Sequence, residues 1–147
     1  MDASADSEPS GVPLAEPSAA LVHEVAAAAV QVSILRRALA RWVADLGVPE
    51  TTAEDIVLAA GEAMANVVDH AYPDDPHGTM TLTAELEPGF LTITVTDTGQ
   101  WSDAPPQPHR GRGSQIMRAV APEAAITSTL AGTTVRMTWP WTRVEAD

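Results

Sequence analysis

Asp97 is the first residue whose type and placement together suggest chemistry. Phe90 to Thr96 alternates apolar and polar residues, and Leu91, Ile93, Val95 and Asp97 share parity. Such alternation marks a strand with one buried face, because successive side chains point to opposite sides. Asp97 therefore follows the apolar set toward the core, where a carboxylate needs hydrogen-bond partners. Two readings fit. Asp97 starts a turn with Gly99, as Asp-Thr-Gly permits, or it accepts a hydrogen bond from a buried ligand, such as an exocyclic amine. In the second reading, Gly99 lets a flat group approach the backbone.

A second kind of chemistry is written in Arg110-Gly111-Arg112-Gly113. It stands before Gly113 to Val120, which has the pattern of a short helix ended before Pro122. Glycines at a helix entry expose backbone N–H groups, and the helix dipole favours an anion there. The two arginines add donors suited to phosphate. A surface loop would have the same composition. The third group is Glu62, Asn66, Asp69 and His70. Ile56, Ala60, Ala63, Val67 and Ala71 recur at helical spacing, and at about 100° per residue they form one stripe. The four polar residues form a neighbouring stripe, with their heads directed the same way at the edge of the core. Asn66 is the only asparagine in the chain. Taken alone, this is also the pattern of a solvated helix face, and Gly132-Thr133-Thr134 alone is a hairpin turn.

These residues need elements to carry them. A chain of 147 residues suggests one domain with a real core. Residues 1–17 read as a tail rich in Ser, Pro, Ala and acids, residues 18–143 as the folded domain, and 144–147 as a second tail. Leu21 to Val30 fits a helix by its alanines or a short edge strand by Leu21-Val22-His23-Glu24-Val25. From about Gln31, the residues Ile34, Leu35, Ala38, Leu39, Trp42, Val43 and Leu46 form an apolar helical stripe, with Arg36, Arg37 and Arg41 off it. Gly47 and Pro49 end that helix. Thr51 to Glu54 has the pattern of a capping box opening the helix that carries Glu62. Thr79 to Leu86 and Phe90 to Thr96 read as one hairpin, and Ala125 to Leu130 with Thr134 to Trp139 as another. Gln100 to Arg112 reads as a long loop. The order predicts a two-layer α/β (α+β) sandwich, a mostly antiparallel mixed sheet with helices on one face.

Composition excludes several functions. A net charge of −12 argues against nucleic-acid binding, which needs a basic footprint. A nucleotide site remains compatible, since it needs only local positive charge or backbone N–H groups. All eight basic residues are arginines, so P-loop, β-lactamase-type and Schiff-base chemistry, each requiring lysine, are excluded. Without cysteine there is no disulfide or thiolate site. No signal core or membrane-spanning apolar run is present, so a cytoplasmic protein away from membranes is expected.

Taken in order, the segments resemble the nucleotide-binding boxes of the family that includes histidine kinases, gyrase, the Hsp90 chaperone and MutL. Most similar are the small anti-sigma-factor serine kinases of bacterial stress and sporulation control. Glu62-Ala63-Met64-Ala65-Asn66 with His70-Ala71-Tyr72 is similar to their asparagine box. Asp97-Thr98-Gly99 is similar to the first glycine box, Gly111-Arg112-Gly113 with Ile116-Met117 to the second, and Gly132-Thr133-Thr134 to the last. The resemblance spans roughly residues 31 to 140 and implies a Bergerat-type ATP-binding fold with ATP and Mg2+ as cofactors. It implies that Asn66 coordinates magnesium on the triphosphate and that Glu62 is the general base toward the attacking hydroxyl. Asp97 would accept from the adenine amino group, with Gly99 and Thr134 completing the base pocket. Gln100 to Gly113 would be the lid, with Arg110 and Arg112 as phosphate contacts. His70 would be either a ligand neighbour or packing at the helix end, and Asp69 would be solvated. Gln100-Trp101 departs from the family by standing where larger relatives have a second glycine, which implies a stiffer lid hinge or one packed on Trp101.

The function implied is that of an ATP- and Mg-dependent anti-sigma factor. It would bind a sigma factor and phosphorylate a serine on a STAS-domain antagonist, as a homodimer with no direct nucleic-acid contact. The alternative is an ATP-binding regulatory module, sequestering a partner or associated with a phosphatase, without kinase turnover.

Overall fold

The computed structural model describes residues 20–100, 116–117 and 119–142. The expected tails and the domain limits at 18 and 143 lie outside them. In chain order the elements are β1 (Ala20–Ala26), α1 (Ala29–Asp45), α2 (Glu50–His70), β2 (Thr79–Glu87), β3 (Phe90–Asp97), β4 (Glu123–Thr129) and β5 (Gly132–Pro140). Ile116, Met117, Ala119 and Val120 are helical ahead of β4. The strands form one open sheet in the order β1-β2-β3-β5-β4. Every neighbouring pair is antiparallel, so among the described residues the expected mixed sheet is a wholly antiparallel one.

Leu21 to Val25 belongs to the edge strand β1, the second of the two readings of that stretch. Its alanines favour helix in isolation, but Leu21, His23 and Val25 are half-buried where Val22 and Glu24 are exposed. Pairing with β2 along the whole strand outweighs the local preference. In α1, Leu35, Leu39, Val43 and the following Leu46 are buried at three- and four-residue steps, while Ile34 lies at the border, 43% exposed. The capping box expected at Thr51 to Glu54 is not used. Pro49 is the N-cap of α2, and its carbonyl already accepts Ala53 N–H at 2.8 Å, so Thr51 stands inside the first turn.

One apolar cluster joins the layers. Met80, Leu82, Leu91, Ile93, Val95, Val135 and Met137 from the sheet pack with Leu39, Val43, Ile56, Ala60, Met64 and Val67 from the helices. Each large side chain so buried stabilises the fold by roughly 1.5–3 kcal/mol. The opposite face of the sheet is polar and β-branched, with Thr81, Thr96, Thr134 and Thr127 in one row across four strands. Threonine suits an exposed pleated surface because its branched side chain packs on its cross-strand neighbours. No helix among the described residues is long and apolar enough to cross a membrane.

Candidate functional site at the end of the central strand

β3 lies in the middle of the sheet and α2 packs against it, so the end of β3 meets the C-terminal end of α2. Asp97, the last residue of β3, is 6% exposed. Its Oδ1 accepts the Gly99 N–H at 3.0 Å and the Thr133 N–H at 3.3 Å. The first bond is the turn expected from Asp-Thr-Gly, and the second reaches the last hairpin. Asp97 thus shapes the turn with Gly99 and lies buried where two segments converge.

Both glycines flanking this carboxylate are required by close packing. A β-carbon on Gly99 would lie 2.1 Å from the Ala71 carbonyl oxygen and 2.9 Å from the Tyr72 ring. The space that Gly99 leaves is thus taken by the end of α2, which explains the residue before any ligand is considered. Gly132 has a φ of 136°, in the region that side-chain-bearing residues rarely adopt, and its β-carbon would lie 1.9 Å from the Asp97 carbonyl oxygen.

Tyr72 ties the same corner together. Its hydroxyl donates to the Thr79 carbonyl at the start of β2 and accepts the Thr98 N–H at 2.9 Å. Gln100 N–H donates to the Ala71 carbonyl at 2.9 Å. The sequence places Tyr72 in a box but does not show this role, since a phenol bridging two segments leaves no periodic signal.

Asn66 and Glu62 are half-buried on α2, and neither side chain hydrogen-bonds or ion-pairs with another described residue. Asn66 lies at the border of the buried stripe, and Glu62, four residues earlier, is rotated about 40° outward and displaced about 6 Å along the axis. Asp69 is exposed, matching its expected solvation, and His70 is half-buried. Along the helix, Asn66 stands about 7 Å from Ala71, the residue touching Gly99. Around the axis the two residues are rotated about 140° from each other. Among the described residues no group of three His, Asp or Glu side chains is placed to hold a metal ion.

The hairpin contribution differs from expectation. Thr133, paired with Asp97, is 2% exposed and faces the core, with its Oγ1 3.0 Å from Ser128 Oγ. Thr134 pairs with Thr96 and, by strand alternation, projects to the opposite face of the sheet. Thr134, which the resemblance assigns to the base pocket, therefore lies on the face away from the core, and its neighbour Thr133 is the one beside Asp97. Arg110, Gly111, Arg112 and Gly113, the proposed phosphate loop, lie outside the described residues, as does Trp101.

Two hollows among the described residues are lined by neither Asp97 nor Asn66. One of about 430 Å³ runs beside Tyr72, Asp75, Thr98 and Gly99. The other, about 500 Å³, lies between Pro122, Ala125 and Arg136, away from Asp97 and Asn66.

Residues 25–139 match the histidine kinase-like ATPase domain family. A serine-protein kinase RsbW of Halalkalibacterium halodurans is 42% identical over 72 residues, covering 49% of this chain and 43% of that protein. An anti-sigma F factor of Geobacillus stearothermophilus is 31% identical over 67 residues, covering 46% of each. The chain thus spans less than half the length of the curated relatives it matches. The crystal structure of the RsbU and RsbW domains of a Mycobacterium tuberculosis protein superposes with a TM-score of 0.66 at 29% identity, covering 81% of this chain and 31% of that one. Its order of helices and strands, its open antiparallel sheet and the matched span together place this chain in the histidine kinase-like ATPase domain family.

Proposed function

We propose that the protein is an ATP- and Mg-dependent anti-sigma factor that acts in the cytoplasm and phosphorylates a serine on a STAS-domain antagonist. The observation that carries this reading is Asp97, a carboxylate buried at the end of the central strand, on which α2 packs. Membership of the family and the names of the relatives support ATP as the nucleotide and a serine as acceptor. Asp97 takes the adenine amino group as a hydrogen-bond donor. Asn66 offers its amide oxygen as a hard-cation ligand, which suits Mg2+ because that ion is commonly held by one or two protein oxygens with phosphates and water. When bound, Mg2+ neutralises charge between the phosphates. Glu62 takes the proton of the serine hydroxyl as that oxygen attacks the terminal phosphorus and ADP leaves. Little covalent chemistry is asked of the protein, so positioning supplies most of the rate.

Two partners follow from the same reading, a sigma factor that is bound and an antagonist that is phosphorylated, with the kinase as a homodimer. The test is transfer of labelled γ-phosphate from ATP to a panel of STAS-domain antagonists. Transfer should fall by at least about a hundredfold in Glu62→Ala, the scale of general-base catalysis, and be lost in Asn66→Ala. Undiminished transfer in both variants would overturn the roles. ATP binding without transfer across the panel would instead favour a module that sequesters its partner.

A further inference from the structure

Gln100 stands where the sequence departs from the glycine box it resembles, and its contacts show what it does there. Its backbone N–H donates to Ala71 at the end of α2. Its side-chain Nε2 donates to the Leu130 carbonyl, in the turn between β4 and β5, at 2.7 Å. A carbonyl only accepts, so the amide nitrogen is the atom facing it. One residue thus joins the end of α2, the segment leaving β3 and the last hairpin.

That link has a target. The Leu130 side chain is 94% exposed, so the turn gains no hold from apolar packing. Thr129 Oγ1 accepts Ala131 N–H at 3.0 Å, which shapes the turn internally and does not anchor it to the segment leaving β3. Just beyond the turn, Thr133 N–H reaches Asp97 Oδ1 at 3.3 Å, slightly longer than an ordinary N–H···O bond. A retreat of the turn end of the hairpin would lengthen it and loosen one N–H group that holds Asp97 Oδ1.

We propose that Gln100 is a positioning residue for the base pocket: by tying the Leu130–Ala131 turn to the segment leaving β3, it keeps Thr133 N–H on Asp97 and so orients that carboxylate. The inference rests on the reading of Asp97 as the acceptor for adenine. It goes beyond that reading in assigning base discrimination partly to a residue that does not touch the base.

The experiment compares Gln100→Met, which keeps the length and loses the donor, with Gln100→Arg, which keeps a donor. Two quantities are measured on the full chain: hydrogen exchange of the Thr133 amide without nucleotide, and affinities for ATP and GTP. In Gln100→Met the Thr133 amide should exchange faster. ATP affinity should fall about fivefold, the scale of one ordinary hydrogen bond, while GTP affinity changes less, so that the ATP-to-GTP ratio drops. Gln100→Arg should retain both properties. A role confined to general stability would leave the ratio unchanged. An unchanged ratio in Gln100→Met, an unchanged Thr133 exchange rate, or an Arg variant as impaired as the Met variant would overturn the proposal. A wild-type chain that binds no nucleotide would remove the reading of the site, whereas the exchange measurement would still decide whether Gln100 controls Thr133.

Discussion

Gly132 passes so close to Asp97 that a β-carbon on the glycine would lie 1.9 Å from the Asp97 carbonyl oxygen. The last hairpin and the central strand are therefore in backbone contact at the residue on which the proposed site depends. Gly132→Ala should destabilise the protein by about 3 kcal/mol or more, combining backbone strain at a φ of 136° with a steric conflict. Gly89→Ala provides the comparison, since Gly89 has a φ of 82° with nothing within 4 Å of its β-carbon position. It should lose only about 1–2 kcal/mol, the left-handed penalty alone. Urea denaturation measures both, and equal losses would mean that the hairpin moves aside freely.

Asp97→Asn should separate folding from binding. The amide oxygen can still accept Gly99 and Thr133 N–H, so the midpoint in urea should move by no more than about 1 kcal/mol equivalent. The new NH2 group meets an adenine amino group donor to donor. ATP affinity, measured by titration, should fall at least about tenfold. A large loss of stability with affinity preserved would show that the carboxylate is structural only.

Asn66→Ala tests the metal end of the same site. Saturating Mg-ATP at about a hundred times its dissociation constant should stabilise the wild type by about 2.7 kcal/mol. For a chain of this size that is a rise of roughly 5–10 °C in melting temperature. The variant should show little of the magnesium-dependent part of this rise. A full magnesium-dependent shift in Asn66→Ala would remove Asn66 as the ligand.

Tyr72→Phe removes a hydroxyl that donates to Thr79 and accepts from Thr98. The ring remains to pack against Gly99, so the loss isolates the hydrogen bonds. The expected destabilisation is about 1–3 kcal/mol, because the Thr98 N–H and the Thr79 carbonyl lose their partner. Thermal unfolding without nucleotide reads it directly, and an unchanged curve would show that water replaces the phenol.

The parts of this fold that repeat were readable in the chain. The parity of Leu91, Ile93, Val95 and Asp97 placed the carboxylate on the core side, and its 6% exposure agrees. The spacing of Ile56, Ala60, Ala63 and Val67 gave the buried side of α2. What escaped were events that happen once. The start of α2 differs from the capping-box reading because the helix already begins at Glu50, which puts Thr51 inside its first turn. Thr134 enters the base pocket through the family resemblance alone, and strand alternation puts it on the face away from the core. Gln100 looked like a missing glycine, and only a structure shows its amide reaching Leu130, thirty residues later.

The position of β1 has a consequence for how the chain assembles. β2 with β3, and β4 with β5, are joined by the two-residue turns Pro88–Gly89 and Leu130–Ala131, so each pair forms between chain neighbours. β1 instead pairs with β2 across both helices, its nearest partners Ala26 and Thr79 being roughly fifty residues apart. Closing that distance is entropically unfavourable until the helix pair and the β2–β3 hairpin exist to receive the strand. Among the described residues, the strand that stands first is therefore the one held by the pairing of greatest sequence separation in the sheet.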